Sequence, residues 1–117
     1  PEPVLFSPGS AALHPGAGRV LTPLAKLFAG IPNPIIVQGH TDDSPVVRGR
    51  IRNNWELSAS RAFSVGAFLM ENGLAPERFN ARGYGEYRPV ASNITAAGRA
   101  KNRRIEISII REVQKEI

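Results

Sequence analysis

From Asn53 to Gly73 the chain writes out one helix together with both of its ends, and that helix constrains everything around it. Asn53 or Asn54 starts it; with Asn53 as the cap, Glu56 falls at the third helical position and completes a capping box. Gly73 supplies a left-handed C-terminal cap. At about 100° per residue, Leu57, Phe68, Arg61, Asn54, Val65, Leu69 and Ala62 share a sector roughly 140° wide. Two members of that sector, Arg61 and Asn54, are polar and lie almost in line, two turns apart. A charge on a face built for burial must be satisfied, since removing the partner of a buried ion pair costs about 3–5 kcal/mol.

The segment before this helix offers one solution. Ile35–Ile36–Val37 is a β-branched run leading through Gln38 to Asp42, and reads as a strand. The connection to the helix is short, so the strand lies beneath it. Asp42 then sits at the strand's C-terminal end, where open sheets present ligand sites. Asp42 and Arg61 are expected to meet at one rim. Either they form a closed ion pair pinning helix to sheet, or they hold something from outside. A guanidinium offers five donors in a fork, more than one carboxylate uses. A zwitterionic head group satisfies both residues at once.

The remaining elements read as follows. Val4–Phe6 is a short strand ended by the turn signal SPGS. Helix one starts near Thr22 with Pro23 at its first position, carries Val20, Leu24, Leu27 and Phe28 at helical spacing, and stops at Gly30. Ser44–Asn53, with Pro45, Gly49 and Arg48, Arg50 and Arg52, is an exposed loop placed to gate access between the two key residues. Arg78–Tyr84 is strand three. Glu86–Ala100 is loop with one helical turn. Arg104–Ile110 is strand four, with Ile105, Ile107 and Ile109 on one side and Arg104, Glu106 and Ser108 on the other. Residues 111–117 form a tail with a helical extension. The order is β-α-β-α-β-β, an α+β sandwich with two main helices on one face of a mixed four-stranded sheet.

At 117 residues the chain is a single domain, with its core over about 4–110. It holds no cysteine, which removes disulfides, thiolate metal sites and thiol nucleophiles. His40, Asp42 and Asp43 bring no third or fourth ligand at a useful spacing, so no metal and no cofactor is expected. Ser58, Ser60 and Ser64 lack a histidine placed to activate them, and Gly83–Glu86 lacks the Lys-Ser or Lys-Thr of a phosphate loop. The chain reads as a binding module rather than an enzyme. Its net charge of +5 favours anionic partners. The Arg99, Lys101, Arg103 and Arg104 cluster suits a polyanion, with a solvated turn and an Arg104–Glu106 pair as the plainer reading. Aromatic residues are not interleaved with it, which weighs against single-stranded nucleic acid. No apolar run approaches the roughly 20 residues of a membrane span. Opening at Pro1 without an initiator Met, the chain reads as a mature protein or a domain of a longer one.

GHTDD, NWELSASRA, GYGEYRPVASN and GRAKNRRIEISI, in that order, resemble the OmpA-like peptidoglycan-binding domain over about Val4–Ile110. The form NWELSASRA, the longer loop before it and YGEYRPVASN are most similar to the periplasmic domain of MotB-type flagellar stator proteins. The resemblance implies that Asp42, from GHTD, takes the ammonium of a diaminopimelate in the peptidoglycan stem peptide. It implies that Arg61, from LSxxRA, takes the carboxylate with nearby backbone N–H groups. Asn54 and Thr41 support them, and Leu57 and Ser58 complete the NxxLS pattern. The family's first strand usually reads F-D before its turn. Here Phe6–Ser7–Pro8–Gly9–Ser10 stands in its place, leaving Gly9 and Ser10 as backbone candidates. Further implications are peptidoglycan as ligand, a homodimer, a periplasmic location, and a membrane-anchored parent protein with an ion-channel partner subunit. The alternative is a basic domain that binds nucleic acid or another polyanion.

Overall fold

The β-branched run at Ile35 forms the central strand of the sheet, because both of its neighbours must find a continuous apolar edge to pair with. The computed structural model describes residues 5–46 and 51–111. In chain order it contains α1 (Gly18–Ala29), β1 (Ile35–His40), α2 (Asn54–Glu71), β2 (Phe79–Gly83), α3 (Ala96–Asn102) and β3 (Arg104–Ile109). The sheet order is β2-β1-β3, with β2 parallel and β3 antiparallel to β1. Ile35, Val37 and Gly39 lie opposite Phe79, Ala81 and Gly83 on one side and Ile109, Ile107 and Ile105 on the other. That face joins Leu21, Ala25 and Phe28 of α1 and Ala62, Val65 and Leu69 of α2 in one core.

The expected sheet of four strands is corrected to three among the described residues. Phe6 makes only an isolated bridge to Leu13, within a segment that folds back on itself, and Val4 lies outside the described residues. The SPGS turn ends the apolar run too early for a ladder, and the turn's carbonyls are drawn to a side chain of α2 instead. Residues 47–50 of the arginine-bearing loop, including Arg48, Gly49 and Arg50, lie outside the described residues, as do tail residues 112–117.

Helix one also differs from expectation. It begins at Gly18, carries Pro23 in its interior and buries Leu21, Ala25 and Phe28, while Val20 and Leu27 are exposed. An interior proline costs about 3 kcal/mol through a lost hydrogen bond and a clash with the carbonyl one turn earlier. Here that carbonyl belongs to Arg19, an exposed residue in the helix's first turn. The Leu21–Ala25–Phe28 stripe therefore decides the helix start. Arg78 caps the far end, donating from Nη1 to the Phe28 carbonyl and from Nε and Nη2 to that of Asn33.

The ends of α2 are as the sequence wrote them. The Asn53 side chain accepts from the Glu56 N–H at 2.8 Å. Gly73 adopts φ 113°, with the Leu74 N–H donating to Leu69 O and its own N–H to Met70 O. This is a Schellman termination, closed by contact of the buried Leu74 with the core around Leu69.

Candidate functional site

Asp42 lies two residues beyond β1, where the strand has passed under the first turn of α2. It is only 6% exposed. Its Oδ2 accepts from Arg103 Nη1 at 2.7 Å, and its Oδ1 from the Ser44 N–H at 2.8 Å. Burial alone would raise its pKa, but the Arg103 hydrogen bond and those from Ser44 outweigh it and hold the carboxyl below the usual range. Asp42 thus stays charged, and the stability this adds is present above the unfolded-state value near 4 and lost as pH falls through the folded one.

Asn54 and Thr41 brace the backbone beneath that carboxylate. Asn54 Nδ2 donates to Asp42 O, Ser44 O and Glu86 Oε1 at 3.2, 2.9 and 3.3 Å. Thr41 Oγ1 donates to Asp42 O at 2.8 Å, and its N–H to Gly85 O at 2.9 Å. Ser58 is fully buried; its hydroxyl donates to Trp55 O and accepts from the Gly85 N–H. It ties α2 to the loop after β2. Leu57 is a buried side chain of the same helix face. Both serve the site by placing its walls.

Arg61 is 8% exposed on the buried face of α2, about 10 Å along the helix from Asn54. Its Nε donates to Ser10 O at 2.8 Å and its Nη2 to Ser7 O at 3.0 Å. The guanidinium lies 5.0 Å from the Phe6 ring centroid. The turn that presents those carbonyls closes from Ser10 N–H to Ser7 O, with Pro8 and then Gly9 at φ 70°. Proline followed by a positive-φ glycine is the pattern of a type II turn. Ser10 thus meets Arg61 through its carbonyl, and Gly9 supplies the positive φ of the turn that presents it.

The closed Asp42–Arg61 pair, one of the two readings the sequence left open, is not among the described contacts. Asp42 takes Arg103, and Arg61 takes the Ser7 and Ser10 carbonyls. The partner of Asp42 came from the basic cluster for which both a polyanion site and a solvated turn with an Arg104–Glu106 pair were open. The pairing follows from the sheet: β3 runs antiparallel to β1 with Arg104 opposite His40, which brings Arg103 to the end of β1 where Asp42 lies. Two other members of that cluster are engaged internally, while Lys101 is exposed. Arg99 donates to Asn93 O and Ile94 O, and Arg104 pairs with Glu106 and donates to Arg88 O. Glu86 and the Phe6 ring were not singled out from the sequence and join the site here.

His40, at the end of β1, sits on the opposite side of the sheet and is 4% exposed with neither ring nitrogen hydrogen-bonded. It stacks on Tyr84 at 5.2 Å, with Glu106 at 3.8 Å and Arg104 and Arg88 nearby. Burial first, then Arg104 and Arg88, lower its pKa against the opposing pull of Glu106. The imidazole is neutral in the fold and protonates more readily when unfolded. Stability is therefore fully present above about pH 6.5 and falls as pH drops toward the folded value, by about 1.4 kcal/mol for each unit of depression. His40→Gln is expected to flatten this limb in thermal melts run between pH 7.5 and 5. A wild-type melt that does not change over that range would contradict it. Among the described residues, no group of three or more His, Asp or Glu is placed to hold a metal.

The OmpA family profile matches residues 5–103. Motility protein B of Bacillus subtilis (strain 168) is 41% identical over 115 residues, covering 93% of this chain and 42% of that protein. The chain thus spans less than half the length of that relative. A MotB-like protein from Desulfovibrio vulgaris superposes with a TM-score of 0.88 at 40% identity, covering 97% of this chain and 72% of that one. The cell wall anchor of the T6SS from Pseudomonas aeruginosa gives 0.87 at 35% identity, covering 92% and 76%.

Proposed function

This chain belongs to the OmpA family, and from that premise we propose that it binds peptidoglycan non-catalytically through a diaminopimelate in the stem peptide. One observation carries the reading: a buried carboxylate braced by Asn54 of α2 and a buried guanidinium on the same helix are each held in place by polar contacts from elsewhere in the chain. Asp42 has about four lone-pair positions, and the hydrogen bonds it accepts from Arg103 and Ser44 do not use them all. A guest ammonium fits the rest. Arg61 takes the guest carboxylate, with Asn54 and Thr41 keeping the floor in place. The similarity to a cell wall anchor and to a motility protein supports a wider role: the wall-gripping, periplasmic part of a membrane-anchored stator. On that role it works as a homodimer alongside an ion-channel subunit, and many weak wall contacts add up to firm anchorage. No helix among the described residues is long and apolar enough to cross a membrane.

The test is co-sedimentation with purified sacculi, paired with calorimetry on two stem peptides, one carrying diaminopimelate and one carrying lysine in its place. Lysine lacks the distal carboxylate. Losing one charge-assisted hydrogen-bonded contact of about 1.5–3 kcal/mol predicts roughly 10- to 100-fold weaker binding. Asp42→Asn should bring the diaminopimelate peptide down by a similar factor. Equal affinity for both peptides, or sacculus binding unaltered by Asp42→Asn, would remove the assignment.

A further inference from the structure

Two large aromatic side chains stand in water beside this rim. Trp55 is 53% exposed and Tyr87 is 68% exposed, and their rings face each other at 5.5 Å with a 51° tilt. Each is the chain neighbour of a residue of the site. Trp55 follows Asn54 on the first turn of α2. Tyr87 follows Glu86, which accepts from Asn54. The corner is held from behind. Gly85, at φ 62°, packs so closely on Trp55 that a Cβ there would lie 3.3 Å from the Trp55 N, Cα and Cε3 atoms. The Tyr87 N–H closes a turn on Tyr84 O, and the Trp55 carbonyl is fixed by Ser58.

We infer that Trp55 and Tyr87 form a platform for a pyranose ring, extending the peptide site onto the glycan. This rests on the peptidoglycan reading above and names a second part of the same polymer. The chemistry follows from the rings. An aromatic face carries partial negative charge and meets the partially positive C–H bonds of a sugar face. Aromatic side chains with two χ angles lose little entropy on binding, and the turn and helix here fix them further. Glu86, half-buried beside the pair, suits a sugar hydroxyl or acetamido N–H as an acceptor. In peptidoglycan the stem peptide is attached to an N-acetylmuramyl residue, so a peptide seated between Asp42 and Arg61 brings a sugar with it. Continuity with that site selects the sugar over an unrelated apolar partner.

Calorimetry on this chain with two probes decides the matter: a diaminopimelate-containing tripeptide, and the same tripeptide bearing its disaccharide. The wild type should bind the glycopeptide roughly three- to tenfold more tightly, the increment of one aromatic contact. Trp55→Ala and Tyr87→Ala should each erase the preference. The affinity for bare tripeptide reports whether the fold and the peptide site survive, and Trp55→Phe should keep part of the increment. If neither probe binds the wild type, the peptidoglycan reading itself falls, and this inference with it. If both bind equally, only the platform falls. A sugar preference intact in Trp55→Ala, with a changed monomer–dimer balance in sedimentation, would reassign the aromatics to contact between copies.

Discussion

Gly39→Ala is expected to cost at least about 3 kcal/mol and to leave most of the protein unfolded near the wild-type midpoint in urea. A Cβ at Gly39 would lie 2.1 Å from the Ser58 carbonyl oxygen and 2.9 Å from its carbon. These are main-chain atoms of α2, so no rotamer change relieves the clash. Gly83, opposite Gly39 in the parallel register, meets the same helix one residue on, with Ala59 N at 2.4 Å. The two glycines form a bare patch of sheet on which α2 rests. Lifting the helix would break the Ser58–Gly85 hydrogen bond and carry Asn54 away from Asp42. Two comparisons sharpen the test. At Gly66 a Cβ would lie 1.8 Å from Phe79 Cζ, which sits on the ring-flip axis, so only a χ1 swing of a side chain packed on the core relieves it and Gly66→Ala is also expected to destabilise. At Gly16 the nearest atom is His14 Nδ1 at 3.9 Å, and alanine should be close to neutral. Equal midpoints for the Gly39 and Gly16 variants would mean that α2 does not rest on the sheet backbone.

That contact also shows why some of this molecule was legible in the sequence and some was not. Periodicity and cap chemistry are local, so the buried face of α2, its Asn53 cap and its Gly73 exit could all be read from residues within one segment. The core-facing Ile105 and Ile107 of β3 and the place of Asp42 just past the end of β1 were legible for the same reason, while Ile109 is exposed. Asp42 finding Arg103 required knowing which strand pairs with which, a long-range fact. Pro23 misled because its cost depends on which carbonyl lies one turn earlier, which propensity does not encode. Among the described residues no ladder continues from Phe6 for a similar reason: the Ser7 and Ser10 carbonyls are held by Arg61 from across the fold.

Asn102 was passed over within a basic cluster and is fully buried. Its Oδ1 accepts from the N–H groups of Val90 and Ala91, while its Nδ2 donates to Ala91 O and Asn93 Oδ1. One carboxamide thereby organises the loop before α3, and α3 in turn delivers Arg103 to Asp42. A loop without regular structure is held at fixed geometry by a side chain that a composition count sees only as polar.

Arg61→Ala should abolish detectable sacculus binding and lower stability by about 3 kcal/mol, since it removes two charge-assisted hydrogen bonds and a cation–π contact. A loss in both readouts does not by itself separate ligand contact from folding. Arg61→Lys does. Lysine keeps the charge and most of the buried stem but loses the planar fork that reaches two carbonyls at once. It should cost only about 1–2 kcal/mol of stability, leaving the protein folded at 25 °C, while weakening the diaminopimelate peptide at least roughly tenfold. Gly9→Ala provides a third point. It touches no ligand and has open space around its Cβ, but at φ 70° it strains the turn that holds the guanidinium. If Arg61 works only when the Ser7–Ser10 turn aims it, Gly9→Ala should weaken peptide binding several-fold for about 1 kcal/mol of stability. Full affinity in both Arg61→Lys and Gly9→Ala would show that any cation near this rim suffices, and that the buried guanidinium is there for the fold alone.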